Sequence, residues 1–279
     1  MKKISAVFDG LKFSHATMAY AIKMAGSSKA LLSGVFLDDF LYHSNNVFDS
    51  SKDRDIFGEH IKKLQDKDKA IREQSIAIFN TSCIKAGINY VIHHDKSFAI
   101  DELLKESIYS DMLLIGADET MSPVKEEPPT SFIRSVLAAT QCPVMVVPTE
   151  CIAIEKVILL YDGEPSSVFA IKMFNYMFPW MRDLQTVVLS ATGAKTTSIF
   201  PDDPLIKEFI KCHYPNADYL LLPGEPEEEI PAYLRKAGQS SLIVMGAYRR
   251  SQVSRLFNTS MADIIMNDLS MPLFIAHNK

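Results

Sequence analysis

The sequence predicts an α/β fold built twice: two similar doubly wound domains, each a five-stranded, mainly parallel sheet flanked by helices. Two observations lead there. Short apolar runs such as Met112–Ile115 and Leu242–Met245 alternate with helical stretches, the pattern of parallel strands covered on both faces. Three landmarks then recur in the same order. A strand ending in Asp162-Gly163 repeats Val7-Phe8-Asp9-Gly10, Leu242–Ala247 repeats Leu113–Ala117, and Pro272–Ile275 repeats Pro143–Val146. An internal duplication accounts for all three. It divides the chain into residues 1–150 and 151–279, with the boundary in Thr149–Glu155.

In the first copy, Ile4–Phe8 reads as a strand, and Ser14 opens a helix with Ala16, Ala19, Ala21, Ile22 and Ala25 as a small-residue packing face. Leu31–Leu37 is the second strand and the polar Tyr42–Asp55 segment a loop. A long helix over Ile56–Lys85 follows, stopped by Gly87. Asn89–His93 is the third strand, Ala99–Ser107 a helix, and Met112–Ile115 the fourth strand. Thr130 or Ser131 caps the next helix, which ends near Thr140 before the fifth strand, Val144–Val147. The second copy is shorter between its second strand, Thr186–Leu189, and its third, Tyr219–Leu222. Only Leu205–His213 can be helical there, so one or two turns with Pro201 and Pro204 are expected in place of the long helix.

The composition excludes several classes of function. A hydrophobic content of 47% supports full cores, and a formal charge of −5 argues against general binding to nucleic acid or to anionic membranes. The N-terminal run reaches Asp9 after too short an apolar stretch for a signal peptide, and no segment is apolar enough to span a membrane, so a cytoplasmic protein is expected. Cys83, Cys142, Cys151 and Cys212 lie far apart without metal-ligand spacing and read as reduced thiols. His93 and His94 are neighbours on a strand and point to opposite faces, so no metal is expected there.

These landmarks resemble the universal stress proteins in their tandem form. Nucleotide-binding members of that family carry an aspartate at the end of strand one. After strand four they have a glycine, two residues, a second glycine, nine residues, a third glycine, and then serine or threonine. Counted from Gly246, Ala247 follows the first glycine, Arg249 and Thr259 stand at the second and third glycine positions, and Ser260 takes the hydroxyl position. Counted from Gly116, the corresponding residues are Glu119, Pro129 and Thr130. Each copy keeps one glycine of three. Those glycines let backbone N–H groups approach phosphates without a Cβ in the way. Pro129 removes a donor and Glu119 would repel a triphosphate. The first site, with Asp9, Gly10, Gly116 and Thr130, is therefore degenerate for ATP. The second, with Asp162, Gly163, Gly246, Ala247, Arg249, Thr259 and Ser260, retains a hydroxyl and gains positive charge from Arg249, Arg250 and Arg255. ATP, ADP or AMP is the cofactor it would take.

Each of these residues also has a plainer reading. Ser260 with Asp263 makes a helix cap, worth about 1 kcal/mol, and Asp9 and Asp162 can close their turns on backbone N–H groups. Glu227–Glu229 after Pro226 suit a helix N-terminus, and the run from Phe169 to Trp180 suits helix core. The resemblance implies that the two domains pair through their fifth strands, Val144–Val147 and Leu273–Ala276, as an internal pseudo-dimer, and it leaves room for a further homodimer of whole chains. The leading expectation is a non-catalytic stress-response or regulatory protein with residual or modified nucleotide binding in the second domain. An ATP-binding stress protein with slow ATPase activity is one alternative, although the sequence has no Walker lysine motif and no SGG-type pyrophosphate loop. A pure protein-interaction module, docking through Arg249–Arg255 or the long helix, is the other.

Overall fold

A computed structural model of the chain describes residues 1–39, 54–97, 99–193, 200–246, 261–268 and 270–276. Within them the first half runs β1 (Lys3–Asp9), α1 (His15–Ser28), β2 (Leu31–Asp39), α2 (Arg54–Ala86), β3 (Tyr90–Ser97), α3 (Ala99–Ile108), β4 (Met112–Gly116), α4 (Ser131–Ala139) and β5 (Val144–Val147). The second half runs β6 (Lys156–Leu160), α5 (Pro165–Met177), a 3₁₀ turn (Pro179–Met181), β7 (Gln185–Ala191), α6 (Asp203–His213), β8 (Asp218–Leu222), α7 (Pro226–Ala237), β9 (Ser241–Met245), α8 (Met261–Asp268) and β10 (Leu273–Ile275).

The strands form one ten-stranded sheet in the order β3-β2-β1-β4-β5-β10-β9-β6-β7-β8. All neighbours within a half are parallel, and the halves meet where β10 pairs antiparallel with β5, matching Leu273 to Val146, Phe274 to Met145 and Ile275 to Val144. This is the pairing the resemblance implies. It also turns the two halves end for end. The carboxyl ends of the first half's strands lie at one edge of the sheet, and those of the second half lie at the opposite edge.

Alternation along the strands feeds two core layers. Ile4, Ala6 and Phe8 of β1 join one with α1, α2, α5 and α6, while Val7 joins the other with α3, α4, α7 and α8. On the first side Phe8, Phe36 and Phe79 pack ring against ring, which seats the middle of α2 on the sheet. Helix starts follow the sequence cues. The Ser14 hydroxyl accepts from the Thr17 N–H at 3.1 Å, the Thr130 hydroxyl accepts from the Ile133 N–H at 3.2 Å, and Pro165 and Pro226 open α5 and α7.

Two expectations need correction. Helix α6 has 11 residues instead of one or two turns, because Pro204 occupies its first turn, where no N–H is required, and Ile206 and Ile210 bury an apolar stripe. Strand β3 extends to Ser97 because it pairs with β2 along its whole length. The expected loop from Tyr42 lies outside the described residues up to position 53, and the helix begins at Arg54.

Two contacts reinforce the seam. The Tyr20 hydroxyl donates to the Ile152 carbonyl at 3.3 Å and accepts its N–H at 3.2 Å, holding the connector on α1. Arg134 Nε of α4 lies 3.5 Å from Asp263 Oδ2 of α8. Since β5 and β10 are buried throughout, neither half on its own keeps this edge covered. A fragment of residues 1–150 should therefore dimerise or aggregate, and should form a one-to-one complex when refolded with residues 151–279. Light scattering after size exclusion reads the outcome, and a stable monomeric fragment would refute the dependence.

Candidate functional site

In both halves the first strand ends in an aspartate that closes the turn into the next helix. Asp9 Oδ1 accepts the Leu11 N–H at 2.8 Å, and Asp162 Oδ1 accepts the Glu164 N–H at 2.9 Å. The surroundings differ sharply. Asp9 is only 2% exposed, whereas Asp162 is exposed.

Asp9 is buried because the first site is filled by the chain itself. Glu119 turns inward, and its Oε1 accepts the N–H groups of Thr120 at 3.0 Å and Met121 at 3.1 Å. The Thr130 hydroxyl, which the sequence marks as a ligand donor, instead donates to the Glu119 carbonyl at 2.5 Å. From above, α2 places the Arg72 stem against Gly10, where an added Cβ would sit 3.1 Å from Arg72 Cγ, and the Ser75 hydroxyl donates to the Gly10 carbonyl at 2.8 Å. Lys12 Nζ donates to the Ser122 carbonyl at 2.5 Å and ties the first turn to the same loop. The sequence leads to the expectation that Glu119 repels a triphosphate. Buried, it occupies backbone donors itself. Desolvation and the neighbouring Asp9 and Asp118 carboxylates push its pKa up to about 7, against the backbone hydrogen bonds that favour its charged form.

In the second half the turn is covered less. Gly163 has φ 84°, a conformation that favours glycine, and Pro201 lies over it, 2.8 Å from where a Cβ would stand. The Tyr161 hydroxyl donates to the Pro201 carbonyl at 3.1 Å. Gly246 ends β9 directly against the first turn of α5. A Cβ there would meet the Ser166 carbonyl carbon at 2.4 Å and the Ser167 nitrogen at 2.7 Å, so this position requires glycine to seat the helix. Gly116 is its counterpart at the first turn of α1, with Thr17 Oγ1 and Asp118 Oδ1 each 3.2 Å from a Cβ. The glycine that survives in each copy thus has a packing role. Ala247, Arg249, Thr259 and Ser260 lie outside the described residues, and α8 opens at Met261.

No family model matches the sequence, and no curated protein matches it. Solved structures do resemble it. A universal stress protein from Archaeoglobus fulgidus DSM 4304 superposes with a TM-score of 0.72 at 13% identity, over 99% of this chain and 98% of that one. A putative universal stress protein from Pseudomonas aeruginosa UCBPP-PA14 gives 0.57 at 14% identity, over 99% and 92%. A functionally unknown protein from Pseudomonas aeruginosa PAO1 gives 0.58 at 13% identity with the same coverage. The chain has the universal stress protein fold, present twice.

Within this universal stress protein fold, Asp9, Gly10, Gly116 and Thr130 meet at the carboxyl ends of β1 and β4, and Asp162, Gly163 and Gly246 occupy the equivalent ends of β6 and β9. Sequence reasoning missed the inward turn of Glu119 and the contribution of Arg72 and Ser75. The helical spacing of residues 72 and 75 put both on one face of α2, but nothing local showed that this face lies over Gly10. It also missed a cavity of about 180 Å³ at the seam, where Ala117, Asp118, Pro128 and Thr149 of the first half face Met266 and Asn267 of the second. Among the described side chains of α2, Ile84 is the large apolar residue left exposed, at 67%. Nor, among the described residues, is any helix long and apolar enough to cross a membrane.

Gly246→Ala should destabilise the protein by roughly 1–3 kcal/mol or more, because backbone must move, and Gly116→Ala by less, because its neighbours are side-chain oxygens. Urea unfolding of both variants provides the comparison, and equal losses would argue against the close approach at α5.

Proposed function

We propose that the chain is a non-catalytic regulatory or stress-response protein of the universal stress protein type, acting in the cytoplasm. In this reading its first half has lost nucleotide binding and its second half binds an adenine nucleotide or a related anion. The observation that carries the proposal is the contrast between a first site occupied by Glu119 and Arg72 and a second site whose aspartate is exposed.

The ligand surface is formed by Asp162, Gly163, Gly246, Ala247, Arg249, Thr259 and Ser260. Of these, Asp162, Gly163 and Gly246 stand at the carboxyl ends of β6 and β9, where ligands of open α/β sheets bind. Arg249, Arg250 and Arg255 supply positive charge along the segment that joins β9 to α8. Ser260 immediately precedes α8 in the sequence, and a hydroxyl residue before a helix start suits an anion. A binding role without turnover fits a sequence that has no Walker lysine motif.

ATP, ADP or AMP at about 100 times its Kd should stabilise the native protein by roughly 2.7 kcal/mol, read as a rise in Tm. The double variant Arg249→Glu, Ser260→Ala should abolish the rise, while Thr130→Ala in the first half should leave it intact. If all three nucleotides leave Tm unchanged, the proposed ligand class is wrong. If the Tm rises and ATP is also consumed, the non-catalytic assignment is wrong.

A further inference from the structure

Among the described residues the ten-stranded sheet ends in two strands that each have a single strand neighbour, β3 at one side and β8 at the other. The two edges meet solvent differently. Along β3 the run His93-His94-Asp95-Lys96 sets polar and charged residues on the edge, a device that discourages pairing with another chain. β8 reads Asp218-Tyr219-Leu220-Leu221-Leu222, carries no charge after Asp218, and leaves the residues from Tyr219 to Leu222 only half-buried. Tyr219 and Leu221 pack on one core layer, Leu220 and Leu222 on the other, so both layers reach this edge and stop there partly covered. Pro223 follows at once and keeps the open stretch short.

The helices on the two faces of this edge carry opposite charges at their two ends. On one face Asp203 and Lys207 of α6 stand within electrostatic reach of the Tyr219 hydroxyl, and Lys211 follows Lys207 about one turn later. On the other face a Cβ added at Gly224, just beyond β8, would lie 2.9 Å from Glu229 Cγ, so the Glu229 side of α7 is turned toward this edge. Lys236 stands about two turns further along the same side of α7. Beside β8, each helix therefore presents an acidic residue near its start and a basic one near its end.

We propose that β8 is the docking edge for a second copy of this chain, which adds its own β8 antiparallel and continues the sheet across a two-fold axis, as β10 joins β5 within the chain. Backbone N–H and C=O groups of the two edges satisfy one another, and Leu220, Leu221 and Leu222 lose their remaining contact with water. An axis normal to the sheet lays α6 and α7 antiparallel to their own copies. Asp203 then faces the partner's Lys211, and Glu229 faces the partner's Lys236, each contact occurring twice. A parallel addition would set like charges side by side, so the charge pattern selects the antiparallel one.

The test uses the full chain. Light scattering after size exclusion should give a mass that rises with concentration toward twice that of the chain, and backbone hydrogen exchange should slow at β8 over the same concentrations while β3 stays unchanged. Glu229→Lys and Lys236→Glu each bring like charges together across the axis and should weaken dimerisation about tenfold. The double variant restores opposite charges and should recover it, which a merely destabilised α7 would not do. A chain that remains monomeric at every concentration, protection gained at β3 and not at β8, single variants that dimerise like the wild-type protein, or a double variant as weak as the single ones would each overturn the proposal.

Discussion

The antiparallel pairing of β5 with β10 is the constraint on which the rest of the molecule depends. Each half is an open five-stranded sheet with helices on both faces, and each would otherwise leave an apolar edge of unpaired N–H and C=O groups in water. Joining the edges yields one ten-stranded sheet and two continuous core layers. The same antiparallel step sends the two sets of carboxyl strand ends in opposite directions. The two candidate sites therefore occupy opposite edges of the sheet and are free to diverge.

They have diverged by different means. In the first half the long helix α2 lays Arg72 and Ser75 over Gly10, while Glu119 folds the β4–α4 segment onto itself. The interior is satisfied, with backbone donors meeting a carboxyl group of the same chain in place of a ligand. In the second half α6 is much shorter than α2, and the cover over Gly163 comes from Pro201 and the Tyr161 hydroxyl bond to it. Gly116 and Gly246 illustrate a general caution about motif glycines. Both sit against the first turn of the following helix, so their presence reflects packing whether or not a phosphate ever approaches.

Much of the fold was legible in the sequence because its signals are local. The apolar runs of β1, β4, β6 and β9, the caps Ser14 and Thr130, and the N-terminal proline Pro226 act within a few residues of themselves. Helix α6 starts two residues before the expected Leu205, because Pro204 fits the first turn, where no N–H is required. The site was less legible. Asp9 and Asp162 could be picked out from the repeat, but only the fold brings Glu119 to Asp9 and residue 72 to Gly10, across long separations in sequence. A glutamate in place of a glycine reads as repulsion on a loop and as an internal hydrogen-bond acceptor once buried.

The central claim is that one half has closed its site while the other keeps it. Amide chemical-shift mapping during an ATP titration of the full chain addresses it most directly, because both sites report in one experiment. The account predicts saturable shifts at Gly163 and Gly246, with Gly10 and Gly116 unmoved. Saturable shifts at Gly10 and Gly116 would show that the first site accepts a ligand despite Glu119 and Arg72, and would contradict it.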